Sequence, residues 1–399
     1  MYRISLPAPV RHIIELLNHS GYRADVVGGS VRDFLLGNIP DDYDITTSAT
    51  PEEMKQVFSG YRTVETGIKH GTLTVIIDST PYEITTYRLD GDYKDHRHPE
   101  SVSFSREIAH DLSRRDFTMN AIAYNENDGI TDLFFGKRDI ENKIIRAVGN
   151  AETRFTEDAL RILRAIRFAA KLGFSIDSET ASAARAKKEL LSFVSGERIF
   201  AEWKKLLEAR YAYTVISEYK DIISEFLLPG KNISMPTEEK FSLGTVSLRQ
   251  LSLIMLSAED AYAAFTSLSD RLRFDNETKK EGITLIENYN KVTLDTEMSV
   301  RRALYTLGKK HTEAMITLKI MLGDQDSVSY SILKNVLDSR LPYSISHLEI
   351  SGDDLISLGM MGKSVGNMLE RVLYAVIDGE IRNEREEILD YVKNTTGNR

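Results

Sequence analysis

The change of hydrophobic period near residue 152 constrains this chain most. Ahead of it, runs such as "ADVVGG" (24–29), "GTLTVIID" (71–78) and "YEITTYR" (82–88) alternate or carry β-branched residues, as strands do. Behind it the spacing is helical and stays so to the C-terminus. A chain divided in this way folds as a mixed α/β head followed by a long all-α arm. At 399 residues it exceeds one ordinary core, so two or more domains are expected. Residues 8–19 predict an opening helix. "LDGDYKDHRHPE", polar and containing Gly91 and Pro99, predicts a loop, and "GITDLFFGKRDIENKIIRAVG" a strand, a turn at Gly136 and a short amphipathic piece. Breaks at "LGFSID", "LPGKNISMP" and "DSRLPYSIS" divide the arm into smaller bundles.

Several function classes fall away at once. There is no cysteine, hence no disulfide framework, thiolate nucleophile or zinc–cysteine site. No apolar run reaches the length of a membrane span, and the N-terminus lacks the layout of a signal peptide, so a cytoplasmic protein is expected. The net charge of -9 argues mildly against a nucleic-acid partner. Residues 137–171, however, hold nine Lys/Arg against five Asp/Glu, and that local surplus keeps such a partner open.

"VVGGSVRDFLLGNIPDDYDITTS" (26–48) is the richest stretch chemically. Asp42 and Asp44 are one residue apart, so on a strand both point to one face. Paired like charges are costly unless a cation lies between them, and hard oxygen ligands favour Mg²⁺ together with substrate phosphates. A solvated acidic turn is the plainer alternative for such a pair taken alone. Gly28 and Gly29 change that balance, because they follow a strand, precede a helix and let backbone N–H groups approach phosphate oxygens. Arg32 adds a fork of donors, while Asp33 serves as an anchor of the turn.

Further along, "SRRDFTMNAIA" (113–123) reads as a helix start with Ser113 as N-cap, and one of Arg114 and Arg115 is structural. In "EDALRILRAIRFAAK", Asp158, Arg161, Arg164 and Arg167 form an i, i+3 series across half of a helix surface, opposite an apolar stripe. A salt-bridged solvent face is the bland account, yet three cations to one acid exceed what such a face needs. A carboxylate accepts from the exocyclic amino group of cytosine or adenine, and an arginine beside it donates to ring acceptors. Uracil and guanine would face that carboxylate with a carbonyl oxygen instead.

"GGSVRDFLLG…DDYDI", "YEITTYR", "RRDFTMNAIA" and "EDALRILRAIRF" together resemble the successive motifs of bacterial tRNA nucleotidyltransferases, the CCA-adding enzymes of class II and the poly(A) polymerase group. The likeness is nearly unbroken over residues 26–207, looser over the arm, and returns at "EISGDDLISLGMMGKSVGNMLERVLYAVIDGEIRNEREEI". It implies an α+β fold: a polymerase β-like head with a mixed sheet (1–145), then an elongated all-α neck (146–207), body (208–275) and tail (276–399). It further implies that Asp42 and Asp44 hold metal and that Gly29, Arg32, Arg115, Arg164 and Arg167 meet the nucleotide. Gly28 and Asn120 join them as candidates, and Asp158 with Arg161 match the base-selecting positions. Glu83 takes the place of a third catalytic carboxylate able to accept a proton; an outward-facing strand glutamate is the alternative.

The implied reaction is template-independent addition of C, C and A to the 3′ end of tRNA from CTP and ATP. The arm grips the tRNA elbow, and the protein is a monomer or homodimer. Retention of "YRLDGDYKDHRHPESVSF", with Arg88, Lys94 and Arg97, favours A addition but leaves full CCA and A-only activity open. The tail departs from the family pattern at "GDD" and "GMMGKSVG", which weakens assignments there. A poly(A) polymerase shares the head but is disfavoured by the lack of a basic extension. A small-molecule nucleotidyltransferase would need neither arm nor Asp–Arg pair, and a non-catalytic RNA-binding module would not need three carboxylates. "MMGKS" (360–364) lacks the first glycine of a phosphate loop and reads as a turn between helices. The dyad His110–Asp111 and the pair His96 and His98 lack further metal ligands.

Overall fold

The computed structural model describes residues 4–91, 102–339 and 341–396, in two compact units, Met1–Gly230 and Lys231–Arg399. In the first, helix α1 (Ala8–His19) buries Val10, Ile13, Ile14 and Leu17, one stripe at helical spacing, over strand β1 (Ala24–Val27). Helix α2 (Gly29–Leu35) follows directly, then β2 (Asp44–Thr47) and α3 (Pro51–Val57), opened by a reciprocal Thr50–Glu53 capping box. Next come β3 (Arg62–Val64), β4 (Thr72–Ile77) and β5 (Thr80–Thr86). Asp78 and Ser79 both have positive φ between β4 and β5, the twist-matched geometry of a two-residue hairpin.

Beyond β5, β6 (Arg88–Asp90) pairs with β7 (Val102–Phe104), so the strands at the root of the sequence-predicted loop form their own ribbon. Lys94, His96, Arg97 and His98 lie outside the described residues. Helix α4 (Ile108–Ser113) leads to β8 (Ile122–Asn125) and β9 (Gly129–Asp132). The main sheet is ordered β3-β4-β5-β2-β1-β8-β9, antiparallel throughout except where β2 meets β5 in parallel.

Ser113 corrects an expectation. It ends α4 rather than starting a helix, and its hydroxyl donates back to the His110 carbonyl. The local Ser-x-x-Asp pattern is overridden because Asp116 is held elsewhere, by Arg164 and Asn120. Helix α5 (Gly136–Glu141) follows, then α6 (Ala151–Glu157), α7 (Leu160–Leu172), α8 (Ser178–Ala186) and α9 (Gly196–Glu208). Phe168 of α7 meets Phe117 edge-on, 6.0 Å between centroids, and so ties the helices to the sheet layer.

The described residues of the second unit contain helices and turns but no paired strand. Its longest helix, Glu297–Leu322, breaks at Gly308, whose φ of 73° and ψ of 167° no helical residue adopts. The stretch "MMGKS" joins helix Gly352–Ser357 to helix Lys363–Ile377, with Met360–Gly362 in the turn and Lys363 and Ser364 opening the second helix. Leu355, Val372, Leu373, Ile388 and Val392 are fully buried beneath it. No helix among the described residues is long and apolar enough to cross a membrane.

Candidate active site

Sheet register assembles the acidic part of the site. Ile45 pairs with Ile84 across the parallel β2–β5 ladder, so Asp44 and Glu83, one position earlier on each strand, stand side by side on one face. On the other edge Asp44 is the partner of Val27, the last residue before the glycine pair. Asp42 precedes the strand rather than lying on it, yet its charge still acts on Asp44. Partial enclosure raises the Asp44 pKa above the ordinary carboxylate value; Arg115 opposes this, and the charges of Asp42 and Glu83 push the same way as the enclosure. The charges of Asp42 and Glu83 thus both bear on Asp44, and the net effect on it stays unfavourable to its ionised form despite Arg115. Among the described residues no cluster of three or more acids and histidines is arranged to hold a metal ion unaided. The donor set of Asp42 and Asp44 is that of a hard cation completing its shell with phosphate and water oxygens.

Gly28 has φ 79° and ψ −129°, a conformation L residues avoid, and it caps α2. Its N–H donates to the Ile122 carbonyl at 3.1 Å, so this amide is taken up by the sheet and is not offered to a phosphate as expected. The glycine is needed for space. A Cβ there would lie 3.0 Å from Arg115 Nη1 and 3.9 Å from Asp44 Oδ2. Arg115 is steered by the fully buried Asp111, which accepts from Arg115 Nη2 at 2.9 Å and Arg114 Nη2 at 2.6 Å. Burial alone would raise the pKa of Asp111, but the two arginines outweigh it and hold it below the ordinary value. Arg115 Nε is buried with no hydrogen-bond partner.

A second network fixes the remaining cations. Arg32 donates through Nε to Asp33 Oδ1 and through Nη1 to Asn120 Oδ1, both at 2.8 Å, with its guanidinium over the Phe168 ring at 5.0 Å. Asn120 Nδ2 donates to Asp116 Oδ1 at 3.0 Å, and Arg164 Nη2 donates to Asp116 Oδ2 at 2.6 Å. Burial would raise Asp116, yet the Arg164 charge and these hydrogen bonds bring it down to about 2. Arg167 is ion-paired with Glu202 of α9 and stacks on Phe168 at 3.9 Å.

The helical arrangement expected of the arginine series holds only in part. α7 starts at Leu160, and Asp158 lies ahead of it in extended conformation, at the break after α6. Asp158 is therefore not on the same helix face as Arg161, Arg164 and Arg167. Its Oδ2 accepts from Arg198 Nη2 at 2.8 Å and its Oδ1 from the Leu160 N–H at 3.2 Å. Arg161 instead donates to Glu157 Oε2 at 2.8 Å and to the Arg114 carbonyl at 2.9 Å. Arg161 and Arg167 are buried, which the reading as a solvent-facing series would not allow. Sequence reasoning did not single out Arg198 or Glu202, and it read Asp111 only as half of a lone His–Asp dyad and Asp116 only as a capping partner of Ser113. Asp116, Arg198 and Glu202 are marked only by partners far along the chain, which spacing cannot show, whereas Asp111 pairs with arginines three and four residues on.

Three family models match the chain: the poly A polymerase head domain over residues 24–146, the RNA and SrmB- binding site of polymerase A over 173–229, and tRNA nucleotidyltransferase domain 2 over 250–392. A CCA-adding enzyme of Listeria monocytogenes is 35% identical over 94% of this chain and 95% of its own. One from Geobacillus thermodenitrificans is 49% identical over 55% of this chain and 54% of its own. The crystal structure of the Bacillus stearothermophilus CCA-adding enzyme in complex with CTP superposes with a TM-score of 0.71 at 29% identity, covering 99% of this chain and 100% of that one.

Proposed function

This chain belongs to the CCA-adding enzymes, and on that premise we propose that it adds C, C and A to the 3′ end of tRNA from CTP and ATP without a nucleic-acid template. The observation that carries this reading is the convergence of Asp44 and Glu83 with Gly28 and Arg115 at one end of the sheet. The 3′-hydroxyl oxygen of the tRNA bonds to the α-phosphorus as the bond from that phosphorus to the pyrophosphate oxygen breaks. Glu83, beside Asp44 on the neighbouring strand, is the group we assign to receive the hydroxyl proton. Arg115 offers a preorganised positive charge to the triphosphate, and Asn120 and Asp116 keep Arg32 and Arg164 in fixed orientations around it. Asp158, Arg161, Arg164 and Arg167 form the base-selecting and nucleotide-binding set.

Enzymes of this kind use divalent metal, and we assign Mg²⁺ to Asp42 and Asp44 because their oxygens are hard and their neighbourhood is already too negative. When bound, such an ion polarises phosphate oxygens and eases loss of the hydroxyl proton. In this reading residues 1–145 carry the chemistry, 146–207 select the nucleotide, and the helical remainder, body 208–275 and tail 276–399, holds the tRNA elbow. The protein works in the cytoplasm as a monomer or homodimer.

The test is incubation of transcripts ending at the discriminator base or at CC with CTP, ATP or both, followed by product sizing. Growth of the first transcript by three nucleotides is expected. Extension of only the CC-ending transcript, by a single A, would instead mark an A-adding enzyme.

A further inference from the structure

Asp158 can read a base only if its carboxylate is held ionised and aimed, and nothing on its own segment does this. It lies between two helices in extended backbone, where its single local constraint is the Leu160 N–H at 3.2 Å. Arg161, the neighbour best placed in sequence, is committed to Glu157 and to two backbone carbonyls, those of Arg154 and Arg114. The constraint comes from forty residues further on: Arg198 Nη2 donates to Asp158 Oδ2 at 2.8 Å. Asp158 also contributes to the field on Arg164, so the pair belongs to the same pocket as the nucleotide-facing arginines.

Arg198 is a poor choice for stability. It sits in the first turn of α9, where the helix dipole disfavours a cation. Its Nη1 is buried without a hydrogen-bond partner, a cost that an apolar side chain would avoid. Both features become intelligible if its task is to orient Asp158. A carboxylate has about four acceptor sites. With one given to Leu160 and one to Arg198, each oxygen keeps a further lone pair for an exocyclic amino group.

We propose that Arg198 is a specificity-determining positioning residue, which acts by fixing the Asp158 carboxylate for cytosine and adenine. This rests on the reading of Asp158 as the base-selecting acid. The experiment measures kcat and KM for CTP, ATP, UTP and GTP on a tRNA transcript, using the full chain and four variants: Arg198→Met, Arg198→Gln, Arg198→Lys and Asp158→Ala. A double variant, Asp158→Ala with Arg198→Met, completes the set. Arg198→Met and Arg198→Gln are expected to lower the CTP:UTP ratio of kcat/KM by about tenfold or more, chiefly through a raised KM for CTP. Arg198→Lys keeps the charge and restores most of that ratio. The double variant discriminates no worse than Asp158→Ala alone, because both changes remove one device. A parental ratio in both uncharged variants overturns the proposal, as does an equal loss for all four nucleotides, which a merely structural role would give. Asp158→Ala separates the two levels: if it alone leaves the ratio unchanged, the base-reading role of Asp158 falls and this inference with it.

Discussion

The guanidinium of Arg115 occupies the space that a side chain at Gly28 would need, its Nη1 lying 3.0 Å from where a Cβ would stand. Gly28→Ala would meet both this contact and a backbone of φ 79°. The expected result is a stability loss of about 1–3 kcal/mol from the strained conformation. Displacement of Arg115 lowers kcat/KM by about a hundredfold, the scale on which a shift near 1 Å is felt. Chemical denaturation and steady-state incorporation of CTP measure the two effects separately.

Asp44→Asn should abolish detectable incorporation while making the metal-free protein more stable at neutral pH. The sign follows from the raised pKa of Asp44. The folded state then binds the proton more tightly than the unfolded one, so stability is full below the ordinary aspartate value and is lost as pH rises through the raised value. Thermal midpoints taken in a chelator across the acid range should show that decline in the parent and not in the variant. Adding magnesium should stabilise the parent alone.

Asp116→Ala leaves Arg164 without its main partner in a half-buried position and removes the acceptor of Asn120 Nδ2. Removing one member of such a pair costs about 3–5 kcal/mol. Asp116 titrates near 2 in the folded state. Its contribution is present above the unfolded carboxylate value, about 3.9, and disappears as pH falls towards 2. Acid unfolding monitored by circular dichroism should begin at higher pH in the parent than the remaining carboxylates alone would dictate, and this component should vanish in the variant.

Asp158→Ala should lose preference for CTP and ATP over UTP and keep metal-dependent transfer. One well-formed base contact is worth about 1–3 kcal/mol of discrimination. Four-nucleotide incorporation on one transcript reads the change directly, and undiminished discrimination would remove Asp158 from the base-reading set.

The head was legible in the sequence where function and local pattern coincide. Gly28, Asp44 and Glu83 sit on strands or at strand ends whose alternation is plain, and two of the three are neighbours through the register of the parallel β2–β5 ladder. The break at Asp158 was not legible, because "EDALRILRAIRF" is a continuous helical pattern, and only the extended dihedrals of that residue interrupt it. Nor was the burial of Arg161 and Arg167. Arginine on a periodic face suggests solvent, and the acids that admit these two to the interior, Glu157 and Glu202, are recognised only after folding. Ser113 misled for a similar reason: its capping partner already served Arg164.

The one parallel junction in the main sheet, where Ile45 meets Ile84, has a consequence for how such heads can vary. The segment between Asp44 and Glu83 adds β4 and β3 beyond β5 in the same sheet, so only the connections between those strands can lengthen or shorten freely. A slip of a single residue at the junction itself would turn Glu83 to the opposite side of the sheet and strand it from the reaction. Insertions should therefore be tolerated in the connections on either side of β3, residues 59–61 and 65–71, and lethal within 44–47 or 82–86, a pattern of permissive and forbidden positions set by one pair of isoleucines.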